Sequence, residues 1–378
     1  MGPSSLIAPP RRLPASGRHG GADEGEQFVA EATQARCRGF PAVHPQRLGF
    51  GGDTVFTRMR PLHPATAAAA TAALFLSACG GVGSLDTQRT VTLKIPSDQT
   101  GHVARCYSLS SSPHVDDFRL EIGVKRTDGG YASNWLCDNV SVGMELTVLT
   151  PSGKFTAKSL DVDMLFFAGG SGITPVLSLV KSALVSGGGN VVLFYANRDA
   201  DSIMYERQLQ QISSEFAERF TLVGWLESEN GIPTSEAVEK IIRDHKGAEI
   251  FTCGPAPFMD LVERSAAACG VDHSSVHREV FQSLAGDPFD TATLRRLSDD
   301  EGVATATVYL NGECITTAWP RNAPLLDVLL SQGHNAPYSC REGACSACVC
   351  KLIEGDVDMV QNNILVDDDI EDGERLAC

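Results

Sequence analysis

The sequence has little positive charge. It contains 31 Lys and Arg against 47 Asp and Glu, which gives a formal net charge of −16. Nucleic acids and anionic membranes repel such a protein, which argues against both as partners. The acidic excess is concentrated in residues 299–378, which hold 15 Asp and Glu but only four Lys and Arg. We expect this acidic surface to steer a basic partner protein or simply to aid solubility.

Residues 1–89 lack lysine altogether and show no sustained period of a strand or a helix. We therefore expect this segment to be disordered, or to be a wrongly started or frame-shifted reading. A membrane-spanning run is also missing, because the apolar stretch Ala65–Leu76 is too short to cross a bilayer as a helix. That stretch leads into Ser-Ala-Cys79-Gly, so a lipoprotein anchored through Cys79 is an alternative to a cytoplasmic protein.

Four of the twelve cysteines have the spacing of an iron–sulfur centre. Cys340, Cys345 and Cys348 follow C-x4-C-x2-C, and Cys378 supplies a fourth thiol. This is the plant-type spacing for a [2Fe-2S] cluster, in which each iron takes two thiolates. A zinc site usually has two C-x2-C pairs, and only one is present here. A disulfide framework suits short secreted chains, whereas the cysteine usage of this long chain indicates a reducing cytosol.

The pattern of elements predicts three domains after residue 89. Short strands separated by Gly and Pro turns in residues 90–158 predict an antiparallel β-barrel. Strands alternate with helices in residues 159–281, which is typical of a doubly wound parallel α/β sheet. Residues 282–302 have the composition of a linker. Residues 303–378 begin with a β-hairpin and continue through a helix into the cysteine loop, as expected for an α+β, β-grasp-like ferredoxin domain.

Three segments have the residue types of nucleotide-binding loops. Arg105-Cys-Tyr107-Ser108 combines a guanidinium for an anion, an aromatic ring that can stack and a hydroxyl that can bond a ring nitrogen. Gly130-Tyr-Ala-Ser133 precedes a helix that we expect to begin at Asn134, and helix N-termini bind phosphates. Ala168-Gly-Gly-Ser-Gly-Ile-Thr174 follows an apolar strand and opens another helix. Each segment alone could be an ordinary turn.

Taken together, these segments resemble the ferredoxin–NADP reductase superfamily. The resemblance implies roles in FAD binding for Arg105, Tyr107, Ser108, Lys125, Gly130, Ser133 and Phe281. It implies roles in NAD(P) binding for Gly170, Gly172, Thr174, Arg198, Cys253, Gly254 and Pro255. It also implies that three residues lie on the hydride path: Tyr107, Ser108 and Cys253. A buried thiol at a strand end is the alternative for Cys253.

The sequence does not decide whether the nicotinamide donor is NADH or NADPH. Arg198 could pair with a 2′-phosphate, whereas Asp199 could accept a hydrogen bond from a free 2′-hydroxyl. Both residues follow the second strand of the predicted parallel sheet, where ribose discrimination takes place.

The domain order over residues 90–378 resembles reductase components of bacterial multicomponent oxygenases. Within that group, Gly129-Gly-Tyr-Ala-Ser-Asn-Trp and Pro337-Tyr-Ser-Cys-Arg-Glu-Gly are most similar to reductases of 3-ketosteroid 9α-hydroxylases. The resemblance implies electron flow from NAD(P)H through FAD and a [2Fe-2S] cluster to a partner oxygenase, with a Rieske-type steroid hydroxylase favoured. The alternatives are a reductase of the phenylacetyl-CoA epoxidase type and a non-enzymatic electron carrier without FAD.

The chain departs from that family in two places. We find no counterpart in residues 1–90 of the two barrel strands that the family has before Val91, so we expect an incomplete barrel. The family also continues with a strand after the fourth cysteine, and here that cysteine is Cys378. We therefore expect weaker retention of FAD and of the cluster than in the family.

Overall fold

The computed structural model describes three strands before residue 90 and most of the chain after it. The described residues are 27–28, 54–56, 71–77 and 90–378, apart from 117–118, 150, 282, 285, 291–302, 311 and 322. Within these ranges no helix combines the length and the apolar character needed to cross a membrane.

The first group of elements is a seven-stranded, almost entirely antiparallel sheet. Its strands are β1 (Gln27–Phe28), β2 (Thr54–Phe56), β3 (Thr71–Ser77), β4 (Thr90–Ser97), β5 (Gly101–Ser108), β6 (Arg119–Val124) and β7 (Glu145–Val148). The strand order is β1-β3-β2-β7-β4-β5, and β6 also pairs with β3. Helix α1 (Tyr131–Asn139) packs its Leu136 into the core of this sheet, beside Val91, Leu93 and Ile122.

Strands β2 and β3 correct the expectation that the segment before Val91 contributes no strands. β2 pairs antiparallel with β7, and β3 pairs antiparallel with β6. Half of the apolar stretch that could be the core of a lipoprotein signal therefore lies in β3. The sequence did not reveal these strands because their hydrogen-bonding partners are far along the chain and their own residues do not alternate. Cys79 itself lies outside the described residues.

The second group is a five-stranded parallel sheet with helices on both faces, as predicted. Its strands are β8 (Met164–Gly169), β9 (Val191–Asn197), β10 (Phe220–Leu226), β11 (Glu249–Cys253) and β12 (Val276–Glu279). Its helices are α2 (Ile173–Ser186), α3 (Glu206–Glu215), α4 (Glu227–Asn230), α5 (Ser235–Asp244) and α6 (Ala256–Ala268). Phe166 faces a core formed with α2 and α3, and its neighbour Phe167 faces a core formed with α5 and α6.

The strand order of this sheet is β10-β9-β8-β11-β12. The order therefore reverses between β8 and β11, and the carboxyl ends of these two strands open a crevice where α/β sheets bind their ligands. The glycine-rich loop after β8 and the Cys253-Gly254-Pro255 segment after β11 both lie at this point.

The third group contains the predicted hairpin and helix. Its elements are β13 (Val303–Leu310), β14 (Glu313–Pro320), α7 (Leu325–Ser331), β15 (Val349–Lys351), α8 (Asp367–Glu371) and β16 (Glu374–Leu376). β13 pairs with β14, and β15 pairs with β16, both antiparallel. Leu326, Leu329 and Leu376 form its core together with Cys348.

Part of the predicted linker packs against the first sheet. The Asp287 carboxylate lies 2.7 Å from Nε2 of His102 on β5, and the Phe289 ring meets the His102 ring edge-on at 6.1 Å. Lys94 on β4 stands over the same phenyl ring, 5.5 Å from its centre. These contacts attach the start of the third group to the β4–β5 pair.

Candidate cofactor and electron-transfer site

The four predicted cluster ligands lie in two pairs. The thiol of Cys340 hydrogen-bonds with Cys345, and the thiol of Cys348 hydrogen-bonds with Cys378. In the described part of the chain, no three candidate ligands gather around one point that could hold a single metal ion. Two thiolates per iron is the arrangement of a [2Fe-2S] cluster, so the pairing fits that group.

Backbone N–H groups point at the sulfur atoms of this loop. Sγ of Cys340 accepts from the N–H groups of Glu342 and Ala344, both at 3.3 Å, and Sγ of Cys345 accepts from the N–H of Cys340 at 3.2 Å. Hydrogen bonds from the Cys345 thiol and from these N–H groups lower the pKa of Cys340 to about 6. Donors of this kind stabilise negative charge on sulfur, as cluster ligands require.

A left-handed backbone conformation lets the loop turn its N–H groups inward. Arg341, Gly343 and Ser346 all have positive φ, between 54° and 66°. A methyl group on Gly343 would stand only 2.7 Å from the carbonyl oxygen of Gln361. Glycine is therefore required at this position by both the backbone conformation and the neighbouring segment.

The residue before Cys378 is anchored on two sides. The N–H of Ala377 donates to the carbonyl of Cys348 at 3.1 Å, and its carbonyl accepts from the N–H of Leu326 at 2.9 Å. β16, which ends at Leu376, lies immediately before it. The fourth thiol thus follows a strand whose neighbouring backbone is hydrogen-bonded on both sides.

The predicted flavin residue Ser108 contacts a buried carboxylate that sequence reasoning did not assign. Ser108 Oγ and Thr90 Oγ1 each donate to Oε1 of Glu279 at 3.1 Å. Glu279 lines a cavity and is partly exposed there, but its carboxylate is enclosed, and burial raises its pKa. The only sequence signal for Glu279 was its position at the end of β12, two residues before Phe281.

Arg105 and Tyr107 lie on β5, the same strand as Ser108. This segment is therefore a strand and not the ordinary turn that its sequence also allowed. Burial raises the pKa of Tyr107 to about 12, which keeps its hydroxyl protonated at neutral pH. Nη1 of Arg105 donates to the carbonyl of Ala104 at 2.7 Å. The Phe281 ring is 47% exposed and lines the same cavity as Ser108. The ring therefore offers an apolar surface to a planar ligand.

The second predicted flavin segment differs from the sequence expectation in its helix start. α1 begins at Tyr131 with Gly130 as its N-cap, three residues before the expected Asn134. Ser133 therefore lies inside the first turn, where its Oγ accepts from the N–H of Thr127 at 3.1 Å. The helix starts earlier because Gly130 takes an extended conformation and no N-terminal side chain is needed to cap it.

Lys125 lies by the loop after β8. Its Nζ donates to the carbonyl of Ser202 at 3.1 Å and would lie 3.8 Å from a methyl group on Gly170. Burial and then the nearby charge of Arg198 lower its pKa. Lys125 therefore lies beside the glycine-rich loop after β8, and its role in FAD binding stays a prediction.

The two predicted nicotinamide segments are in direct backbone contact. A methyl group on Gly172 would stand 2.1 Å from the carbonyl oxygen of Cys253, and one on Gly254 would stand 3.0 Å from Cα of Gly169. A methyl group on Gly169 would likewise stand 2.9 Å from Cδ of Pro255. The loops after β8 and β11 can meet in this way only because these positions are glycines.

Three further predicted residues have defined surroundings. Thr174 lies in the first turn of α2, where its Oγ1 donates to the carbonyl of Ser171 at 3.0 Å. Arg198 is exposed, and its Nε lies 2.9 Å from the Asp199 carboxylate. Asp199 Oδ1 also accepts from the N–H of Ser202 at 2.9 Å. Cys253 is fully buried, and burial raises its pKa well above the ordinary value, so it remains a neutral thiol.

One cavity joins two of the predicted flavin residues, Ser108 and Phe281, to the cluster loop. Its volume is about 890 Å³, and its wall includes Ser108, Glu279 and Phe281 as well as the cluster ligands Cys340 and Cys345. The predicted donor and acceptor residues therefore share a single space, although they are far apart in the sequence.

Two models of known domains match the chain. The model described as "Oxidoreductase NAD-binding domain" matches residues 166–264, and the one described as "2Fe-2S iron-sulfur cluster binding domain" matches residues 308–378. The matched ranges correspond to the parallel sheet and to the domain with the cysteine loop.

Solved structures share the fold at low sequence identity. An intact type IV self-sufficient cytochrome P450 monooxygenase matches 89% of this chain and 41% of its own, with a TM-score of 0.56 and 19% identity. An Amycolatopsis cytochrome P450 reductase matches 61% of this chain and 69% of its own, with a TM-score of 0.51 and 23% identity.

Curated relatives are much closer in sequence. The ferredoxin reductase component of 3-ketosteroid-9-alpha-monooxygenase from Rhodococcus rhodochrous is 49% identical over 290 residues, which are 76% of this chain and 82% of the relative. The protein of the same description from Mycolicibacterium smegmatis is 50% identical over 289 residues, 76% and 82% of the two chains. The chain therefore belongs to the family of oxygenase reductase components that combine an NAD-binding domain with a [2Fe-2S] ferredoxin domain.

Proposed function

We propose that the chain takes electrons from NADH, passes them through FAD and a [2Fe-2S] cluster, and delivers them to an oxygenase that hydroxylates a 3-ketosteroid. The observation that carries this proposal is the cavity whose lining includes both Ser108 and Glu279 and the cluster ligands Cys340 and Cys345. Such a cavity allows a planar flavin to lie between the nicotinamide crevice and the cluster loop.

The residues present fit each of the three groups. For the cluster, the fit lies in the paired thiols and the N–H groups directed at their sulfurs. For the nicotinamide nucleotide, it lies in the glycine contacts between the loops after β8 and β11. For FAD, it lies in the exposed Phe281 ring and in the enclosed Glu279 carboxylate beside Ser108. We assign the first sheet as the flavin domain on this basis.

FAD, when bound, accepts a hydride from the nicotinamide and releases its electrons one at a time, as a [2Fe-2S] cluster requires. The chain's own residues bind and orient these groups. Ser108 presents a hydroxyl that Glu279 orients, and burial raises the pKa of the Glu279 carboxyl group above its ordinary value. Cys253, Tyr107 and Ser108 would line the hydride path, the first two as neutral groups.

The Asp199 side chain supports NADH as the donor. Its carboxylate follows β9 and holds the Arg198 guanidinium, which would otherwise be available for a 2′-phosphate. A carboxylate at this position accepts a hydrogen bond from a 2′-hydroxyl and repels a 2′-phosphate.

The acidic ferredoxin domain supports a protein partner with a basic surface. Asp356 and Asp358 are exposed in the segment that leads to Gln361, which contacts the cluster loop at Gly343. Negative charge this close to the cluster would steer a basic oxygenase to the electron donor. We propose a cytoplasmic location, where NADH is available.

Stopped-flow reduction of the purified holoprotein tests the proposal. We expect NADH to bleach the flavin absorbance first and the cluster absorbance afterwards, and NADPH to do so more slowly. Cluster bands without flavin absorbance would instead support a non-enzymatic electron carrier. Adding a purified 3-ketosteroid oxygenase should then reoxidise the cluster, whereas reoxidation only by a phenylacetyl-CoA epoxidase would contradict the proposed partner.

A further inference from the structure

The β4–β5 pair carries two successive polar rungs. In the first, Thr90 lies opposite Ser108, and both hydroxyls bind Glu279 in the predicted flavin pocket. In the second rung, two residues further along each strand, Thr92 lies opposite Cys106. Residues two apart on a strand share a face and are separated by about 6.8 Å.

The second rung binds the cluster loop. Thr92 Oγ1 lies 3.2 Å from Cys106 Sγ and shares a hydrogen bond of 2.5 Å with Ser339 Oγ. Ser339 directly precedes the cluster ligand Cys340 and lies 247 positions from Thr92 in the sequence. One ladder thus connects the flavin pocket to the residue that carries a cluster ligand.

The burial of this contact indicates that it is a formed interface. Thr92 is 0% exposed and Ser339 is 1% exposed. In the alternating strand Val91-Thr-Leu-Lys-Ile95, the sequence predicts Thr92 on the face away from the core. Thr92 is buried instead because the ferredoxin domain covers that face. A hydroxyl enclosed in this way needs its partner, since an unsatisfied buried hydroxyl is costly.

We propose that the Thr92–Ser339 hydrogen bond, supported by Cys106, positions the cluster loop against the flavin pocket for electron transfer within the chain. This inference rests on the proposed function. Thr92, Cys106 and Ser339 are positioning residues, because they act on the cluster through the backbone of Cys340. Without the hydrogen bond the loop separates from the pocket, while the nicotinamide crevice at the opposite domain boundary is unaffected.

The test uses Thr92→Val and Ser339→Ala, which each remove one hydroxyl from a different domain, in the FAD- and cluster-loaded protein. Stopped-flow reduction by NADH follows flavin and cluster separately. We expect flavin reduction within about twofold of wild type, and cluster reduction slower by about tenfold or more, because a small displacement of reacting groups has large rate effects. The double variant should be no slower than the slower single variant, since both remove the same contact.

Hydrogen exchange gives a second readout that does not depend on activity. We expect faster amide exchange in a peptide covering residues 337–347 for Thr92→Val and for Ser339→Ala. Thr92→Ser keeps the hydroxyl and should behave as wild type. Thr100→Val is the matched control, because Thr100 is exposed and its hydroxyl donates to the nearby His102 carbonyl.

Three results would overturn the inference. One is cluster reduction within about twofold of wild type in both single variants, with normal flavin reduction. Another is unchanged exchange in residues 337–347. The third is loss of FAD or cluster from both variants, because the inference requires that both cofactors are retained. Failure of the proposed function gives a different result, because NADH would then not reduce the flavin of the wild-type protein. The exchange experiment would still show whether the Thr92–Ser339 hydrogen bond holds the cluster loop.

Discussion

Gly172 lies against the backbone of Cys253 with no room for a side chain. A methyl group at Gly172 would stand 2.1 Å from the carbonyl oxygen and 2.4 Å from the carbonyl carbon of Cys253. The backbone of Gly172 has φ −61°, which any residue can adopt, so the requirement for glycine is purely steric. The contact joins the two loops beside the crevice between β8 and β11, where we expect the nicotinamide to bind.

Gly172→Ala should therefore separate the two nicotinamide loops. We expect a loss of about 1–3 kcal/mol in the free energy of unfolding, because the overlap is with backbone that must shift. NADH-dependent flavin reduction should fall by at least about tenfold. Gly188→Ala is the matched control, because its nearest neighbour would be an aspartate oxygen 3.6 Å away. Equal behaviour of the two variants would contradict the assignment of this loop.

Replacement of a cluster ligand should separate the two halves of the electron path. We expect Cys345→Ser to lose the cluster's visible bands and its reduced-state EPR signal while NADH still bleaches the flavin. Cys314→Ser should change neither, because Cys314 is an exposed thiol on β14 away from the loop. An intact EPR signal in Cys345→Ser would show that the cluster has different ligands.

Glu279 should make stability depend on pH. Burial raises its pKa above 4.5, so once the pH exceeds 4.5 the unfolded chain releases a proton that the folded protein retains. The free energy of unfolding therefore falls as the pH rises from 4.5 through the raised folded-state pKa. In FAD-free protein, we expect Glu279→Gln to gain stability relative to wild type as the pH is raised from about 5 to 8.

Thermal unfolding at several pH values measures this effect. Glu145→Gln removes one exposed carboxylate from β7, in the sheet that contains Ser108, and serves as the control. A constant difference between Glu279→Gln and wild type across the pH range would contradict a raised pKa for Glu279.

Electron delivery to the oxygenase should depend on salt. Raising the ionic strength from about 0.05 to 0.3 M should slow reoxidation of the cluster by the oxygenase at least fivefold, because screening removes the steering field. Cluster reduction by NADH occurs within the chain and should not change. The double variant Asp356→Asn, Asp358→Asn should weaken the salt dependence. The control double variant Glu215→Gln, Glu218→Gln changes two exposed carboxylates of the parallel-sheet domain and should not weaken it. A salt-independent rate would exclude an acidic docking surface.

Local patterns in the sequence determined much of this protein. The spacing of Cys340, Cys345 and Cys348 indicates the cluster because ligand spacing in a short loop is a local property. The alternation of apolar strands and helices in residues 159–281 predicts the parallel sheet, since the spacing of apolar residues within each segment indicates a strand or a helix. Helix α6, Ala256–Ala268, is one of the helices of this alternation.

The tertiary structure alone decided which residues meet across the domains. β2 and β3 are recognisable only through their pairing with β7 and β6, because they have no alternating pattern of their own. The burial of Thr92 results from Ser339, 247 positions later, and the raised pKa of Glu279 results from its enclosure beside Ser108. Such contacts depend on how the domains pack, and no local period encodes that packing.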